Sequence, residues 1–191
     1  MVSRTGRPRA ITRHTLEEAA GELFLEQGYP HTSIDDIAAR AGISRATFFN
    51  YFSQKSDLLF VAIDEALDAL EHKLQAGEQV AAAIDSIAAT MTKSRLPLAL
   101  WQAEAMGALD DVREAAPARF CRLRDILAGS ITDEVWRWAI AGAIYQAAKV
   151  WLAERDSDLS VSELLNSQLR LLHNPPTQLD AYFVVYNRDT A

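Results

Sequence analysis

Arg45, Thr47 and Asn50 stand within one short segment whose other large residues, Ile43, Phe48 and Phe52, are apolar. If the apolar residues turn inward, the polar ones face out from a helix that Ser44 can cap. An exposed face carrying Arg, Thr and Asn suits the edges of bases. Guanidinium pairs with guanine, and a carboxamide pairs with adenine. Around it lie Thr32, Ser33, Ser44, Tyr51 and Lys55, whose hydroxyls, ammonium and helix N-termini suit phosphate oxygens.

The elements that would position these groups are legible nearby. Ser33 and Asp36 have the spacing of a capping box, with Asp in the usual Glu place. Ile34, Ile37, Ala38 and Ala41 then fall on one face, and Gly42 follows where a left-handed backbone ends a helix at little cost. Two short helices joined by a tight turn form a helix-turn-helix, the layout that sets a helix in the major groove. An ordinary helical hairpin on a core has the same pattern. The preceding residues favour the first reading, although a basic tail taken alone reads as a disordered, solubilising terminus. Arg4, Arg7, Arg9 and Arg13 come before the first acidic residue, Glu17. With Gly6 and Pro8 among them, residues 1–13 read as a flexible basic arm suited to a narrow A·T-rich minor groove.

At this point the chain resembles the TetR family of bacterial transcriptional regulators. The resemblance rests on Ala19-Ala20, Leu23-Phe24, Gly28, Thr32-Ser33 and Ile37-Ala38. It continues through Ala41-Gly42-Ile43-Ser44, Thr47-Phe48, Phe52, Lys55 and Leu58-Leu59, covering roughly residues 12–60. Phe49 stands where the family usually has Tyr, Tyr51 where it often has His, and Ala46 where Gly is frequent. The resemblance therefore implies that Tyr51, not Phe49, offers the phosphate-binding hydroxyl. It further implies an all-α protein in which a helical C-terminal domain binds a ligand and dimerises.

Charge is uneven along the chain. The net charge is −7. Residues 1–55 hold seven Lys/Arg and six Asp/Glu (+1), and residues 56–191 hold twelve and twenty (−8). Local distribution governs phosphate attraction more than the total. No apolar run approaches the ~20 residues of a membrane span. The basic N-terminus lacks the apolar stretch of a signal peptide. The single cysteine, Cys121, fits a reducing compartment. A cytoplasmic protein with no membrane partner is expected.

Beyond residue 55 the pattern is helical throughout. A long helix from Gln54-Lys55-Ser56-Asp57 carries Leu59, Ile63, Ala66, Leu67, Leu70 and Leu74 to Gly77. Further helices are expected at 78–92, from Pro97 to Gly107, and from Asp110 to Ala128, where Pro117 should kink or split the helix. The last two are expected at 133–155 and 160–173. The helix at 133–155 is apolar on two faces, one along Trp136, Ile140, Ala143, Ala147 and Trp151. With Leu165, Leu169 and Leu172 of the next helix, Trp136, Ile140 and Trp151 are candidates for a homodimer interface. A monomeric core with both faces covered internally is the alternative.

The expected organisation is a basic arm (1–13), a helix-turn-helix domain (14–55), a helical ligand-binding and dimerisation domain (56–173) and a C-terminal tail (174–191). Trp101, Glu104, Met106, Phe120, Arg124, Trp138 and Tyr145 are the candidate walls and polar anchors of an effector pocket, with Gln102 beside them. The effector would be aromatic, hydrophobic or lipophilic and cationic. The function expected is that of a dimeric repressor on a double-stranded palindromic operator, released by a small molecule.

Enzymatic readings find little support. There is no Gly-rich phosphate loop and no nucleophile elbow. His14, His31, His72 and His173 are scattered, so neither a metal nor another cofactor is expected. Asp35-Asp36 and Asp110-Asp111 fall at helix starts, where they favour the dipole. Cys121 has Arg119, Arg122 and Arg124 nearby, which would favour a redox-sensing thiolate, but a buried structural cysteine is the expected reading. A helical ligand carrier that binds no DNA is a third reading, which a salt-sensitive DNA complex would exclude.

Overall fold

The computed structural model describes residues 12–153 and 160–173, and these are all helix, turn and loop with no strand among them. The basic arm with Arg4, Arg7 and Arg9, and the tail at 174–191, lie outside the described residues.

Three helices build the N-terminal unit: α1 (Arg13–Gln27), α2 (Ile34–Arg40) and α3 (Arg45–Phe48). Each begins on a hydroxyl cap. Thr12 accepts from the Thr15 N–H, Ser33 from Asp36, and Ser44 from Thr47. The Ser33 box is complete, since the Asp36 carboxylate accepts the Ser33 N–H at 2.9 Å and Asp36 N–H donates to Ser33 Oγ at 3.1 Å. Gly42 has φ +70°, the left-handed conformation that the turn between α2 and α3 requires. Leu16, Ala20, Leu23, Phe24, Ile37 and Phe48 close the core of the unit. Arg40 clamps α2 onto α1 through Glu22 (3.0 Å) and Glu26 (2.5 Å).

The C-terminal part starts with a 3-10 turn (Lys55–Phe60) leading into α4 (Val61–Gln75). Then come α5 (Val80–Ala88), a second short 3-10 turn (Lys93–Arg95), α6 (Leu98–Trp101), α7 (Leu109–Leu127), α8 (Glu134–Ala153) and α9 (Val161–His173). A second core joins Leu67 and Leu70 of α4, Ile84 of α5, Leu123 and Leu127 of α7, Ala141 and Ala147 of α8, and Leu165 of α9. A Ser160–Glu163 capping box starts α9, with Glu163 N–H donating to Ser160 Oγ at 3.1 Å.

Three expectations are corrected. Pro117 does not split its helix, which runs unbroken from Leu109 to Leu127. Its ring is exposed, and the helix on both sides is held by burial of Ala115, Leu123 and Leu127. One lost backbone bond is then outweighed by packing. The helix expected from Pro97 to Gly107 is helical only to Trp101, after which turns lead to Gly107 at φ +68°. That glycine has a second constraint, because a Cβ there would lie 2.8 Å from Pro30 Cγ in the α1–α2 loop. Third, α5 is shorter than 78–92.

Candidate nucleic-acid interface and effector cavity

On the outer side of the N-terminal unit, Ser33, Ser44, Arg45 and Asn50 are exposed, and Thr47 and Tyr51 are half-buried. α3 is helical only over Arg45–Phe48. The chain continues as a tight turn, with Tyr51 N–H donating to the Phe48 carbonyl at 2.9 Å and Phe52 N–H to the same carbonyl at 3.1 Å. Phe48 is fully buried and Phe52 nearly so, which sets the outward aim of their neighbours. Arg45 donates to Asp35 at 2.9 Å and lies over the Phe49 ring at 5.4 Å. Arg13, just inside the arm, donates to the Tyr51 carbonyl at 3.2 Å and lies over Phe52.

Two expected phosphate ligands point the other way. Thr32 is buried, and its hydroxyl donates to the Gly28 carbonyl at 2.9 Å. Lys55 sends Nζ inward to the carbonyls of Tyr29 (2.9 Å) and Thr32 (3.1 Å), 4.0 Å from the Tyr29 ring centre. Partial burial lowers the Lys55 pKa from its ordinary value. The physical reason is local: the α1–α2 loop leaves carbonyls that need donors, and these two side chains supply them.

Inside the C-terminal part lies a cavity of about 250 Å³ between α4, α5, α7, α8 and α9. Its wall is almost wholly apolar, with Ile63, Leu67, Ile84, Leu123, Trp151 and Leu165 among the lining residues. Phe120 and Tyr145 line it too. Trp101, Glu104, Met106, Arg124 and Trp138 do not. Trp138 backs the wall through Phe120, their ring centres 5.6 Å apart, and Arg124 lies over Trp138 while pairing with Asp125. Met106 borders a separate cleft with Pro30 and Gly107.

The dimer candidates also divide. Trp151 and Leu165 are buried within this one chain at 6% and 2% exposure, so they belong to its own core and cavity and not to an outer face. Trp136 is 45% exposed, and Ile140, Leu169 and Leu172 are half-buried. The exposed apolar surface of α8 is concentrated at its start, on Val135, Trp136 and Trp138.

Most of the lining was absent from the expected pocket, and Arg119 is its charged member on α7. Arg119 lines the cavity from α7 and reaches back toward the N-terminal unit. It donates to Asp57 Oδ1 at 2.9 Å and to Asp64 through Nε (3.2 Å) and Nη2 (3.1 Å), over the Phe60 ring at 4.5 Å. Desolvation works against its charge, but these acceptors raise its pKa overall. Asp57 also accepts the N–H groups of Ser53 (3.0 Å) and Gln54 (3.1 Å), immediately after the α3 segment. The available signal was an Arg at the apolar spacing of α7, with Asp57 and Asp64 one helical face apart.

Cys121 is exposed, contrary to a structural burial. The nearby Arg122 and Arg124 are already paired with Asp68 and Asp125. Among the described residues, no cluster of three or more His, Cys, Asp or Glu could hold a metal, and no helix is long and apolar enough to cross a membrane.

The family model described as bacterial regulatory proteins, tetR family, matches residues 16–62, which span α1 to the start of α4. A protein of Mycobacterium tuberculosis named as the mycofactocin biosynthesis transcriptional regulator MftR is 29% identical over 185 residues, covering 86% of this chain and 91% of that one. Over residues 16–62 the chain carries the DNA-binding domain of the TetR family. The regulator TtgR of Pseudomonas putida is 32% identical to this chain over 78 residues, covering 41% of it and 37% of TtgR. The crystal structure of Thermus thermophilus FadR, a TetR family repressor solved with lauroyl-CoA, has a TM-score of 0.52 at 22% identity. It covers 85% of this chain and 93% of FadR, a likeness of fold. The chain is a transcriptional regulator with a helix-turn-helix domain followed by a helical domain.

Proposed function

We propose that the protein is a cytoplasmic homodimeric repressor that binds a palindromic operator and is released from it by a small molecule held in the α4–α9 cavity. Residues 14–55 read the DNA with the basic arm, and residues 56–173 bind the effector and form the dimer. Two copies of α3 about 34–36 Å apart would meet successive major grooves on one side of the duplex.

The observation that carries this reading is the double attachment of Arg119. It lines the cavity and bonds Asp57, which in turn holds the backbone of Ser53 and Gln54 behind the α3 segment. A guest that displaces α7 or α4 must move Asp57, and with it the spacing of the paired recognition segments. An effector acts only through its differential affinity for two such conformations. The apolar start of α8, with Val135 and Trp136, supports a second copy as the cover for that surface.

The test is a mobility-shift titration on DNA flanking its own gene, across a salt series, with Asn50→Ala as control. A specific, salt-sensitive complex that the control loses supports the reading. Sequence-independent binding at every salt concentration would overturn it.

A further inference from the structure

Among the described residues, the lining of the cavity carries charge of one sign only. Arg119 and Lys149 are its charged members, and no carboxylate lines it. Arg119 is matched by Asp57 and Asp64. Lys149 lies 5.8 Å from the Tyr145 ring centre and has no ion-pair partner among the described residues. Lys149 and Tyr145 are exposed while Trp151 and Leu165 are buried, so the lysine stands at the mouth and the apolar residues form the floor.

Resting on the reading of this cavity as the effector site, we propose that its ligand is an apolar monoanion whose acidic group is held at the mouth by Lys149. An apolar body enters because its surface leaves water for a wall of Ile, Leu, Phe and Trp. A cavity of ~150 Å³ admits benzene, so one of about 250 Å³ holds a body of roughly ten heavy atoms by simple proportion. Such a body fills the space behind Tyr145 and leaves its head beside Nζ. A carboxylate there gains a charge-assisted partner without being buried. An ammonium head would meet a lysine and no acid among the described wall residues, so a lipophilic cation is disfavoured. A neutral alcohol of the same length keeps the apolar gain and lacks the ionic one.

The experiment is isothermal titration of the full chain with decanoate, 1-decanol and decylamine at neutral pH, repeated with Lys149→Met. Decanoate is expected to bind at least about tenfold tighter than decanol, the ordinary scale of one charge-assisted bond. In Lys149→Met that advantage should fall to near unity while decanol binding stays unchanged. Because Lys149 is exposed, the substitution threatens no core. Equal affinity for acid and alcohol, tighter binding of decylamine, an advantage that survives Lys149→Met, or no binding by any of the three would overturn the proposal. Operator affinity is read separately. Decanoate that binds through Lys149 without weakening the operator complex would uphold the ligand class and overturn ligand-controlled release.

Discussion

Arg119 and Asp57 are 62 residues apart in the chain, and their side chains meet at 2.9 Å across the boundary between the cavity and the DNA-reading unit. Both are largely buried, and Asp64 completes the cluster. Breaking a buried pair leaves an uncompensated charge, at a cost of about 3–5 kcal/mol. Arg119→Met should therefore lower unfolding free energy on that scale. The informative measurement is a double-mutant cycle with Asp57→Asn, read by urea unfolding and by effector-induced loss of operator affinity. An interaction energy of about 0.5–3 kcal/mol and a blunted effector response are expected. Additive single effects with an intact response would show that the pair is not the coupling path.

Lys55 tests a different kind of assignment. Its ammonium is committed to the Tyr29 and Thr32 carbonyls, so Lys55→Met should cost about 1–3 kcal/mol of stability, the scale of lost bonds to a charged donor. The slope of operator affinity against salt should not change, because no phosphate contact is lost. A slope reduced by about one, with stability intact, would return Lys55 to the phosphate backbone.

These two residues mark where the sequence was legible and where it was not. The helix-turn-helix could be read because its signals are local: Ser33 with Asp36, Ser44 with Thr47, and Gly42 at the turn all act within four residues. Lys55 and Thr32 were legible as polar residues near a groove face, but their acceptors are set by how the α1–α2 loop folds back. α8 was legible as a helix buried from two sides. How far along a stripe its own core reaches is decided by the elements packed on it, so on one stripe Trp151 turned out to line the cavity and Trp136 to stay outside. Arg119 went unrecognised because its partners lie on the 3-10 turn and α4.

Base reading should divide between two neighbours. Asn50→Ala should cost about 1–3 kcal/mol at particular base pairs and relax specificity there, leaving non-specific affinity near its original value. Arg45 must first leave Asp35, an exposed pair of at most about 1 kcal/mol. Asp35→Asn should therefore tighten DNA binding by up to about fivefold. Competition titrations against operators altered at single positions check both. Uniform weakening on every sequence by Asn50→Ala would remove it from base readout.

The α2 cap predicts a response to acid. Hydrogen bonds from the Ser33 hydroxyl and backbone hold the Asp36 carboxyl below its ordinary pKa. Its stabilising effect is thus full above the unfolded-state value of about 3.9 and lost as pH falls through the lower folded value. Asp36→Asn should be less stable than the parent at neutral pH, and the gap should narrow in acid, as pH falls below the ordinary Asp value of about 3.9. Chemical unfolding at neutral and acidic pH checks this. A gap of constant size would mean that packing, and not the carboxylate's charge, sets the difference.

The start of α8 predicts the assembly. Val135 is 76% exposed and Trp136 45%, side by side with Trp138, whereas Trp151 near the far end of the same helix is buried in its own chain. Exposing large apolar groups together is unfavourable for a monomer, and a twofold partner would cover the same residues on both copies. Val135→Arg with Trp136→Glu removes that surface without disturbing the cavity, since neither residue lines it. The expected outcome is a monomer by sedimentation velocity with unchanged helical circular dichroism. Operator affinity should fall by about 10²-fold or more, because two half-sites are no longer engaged together. A dimer that survives both changes would place the interface on another face, with the α8 start left to some other partner.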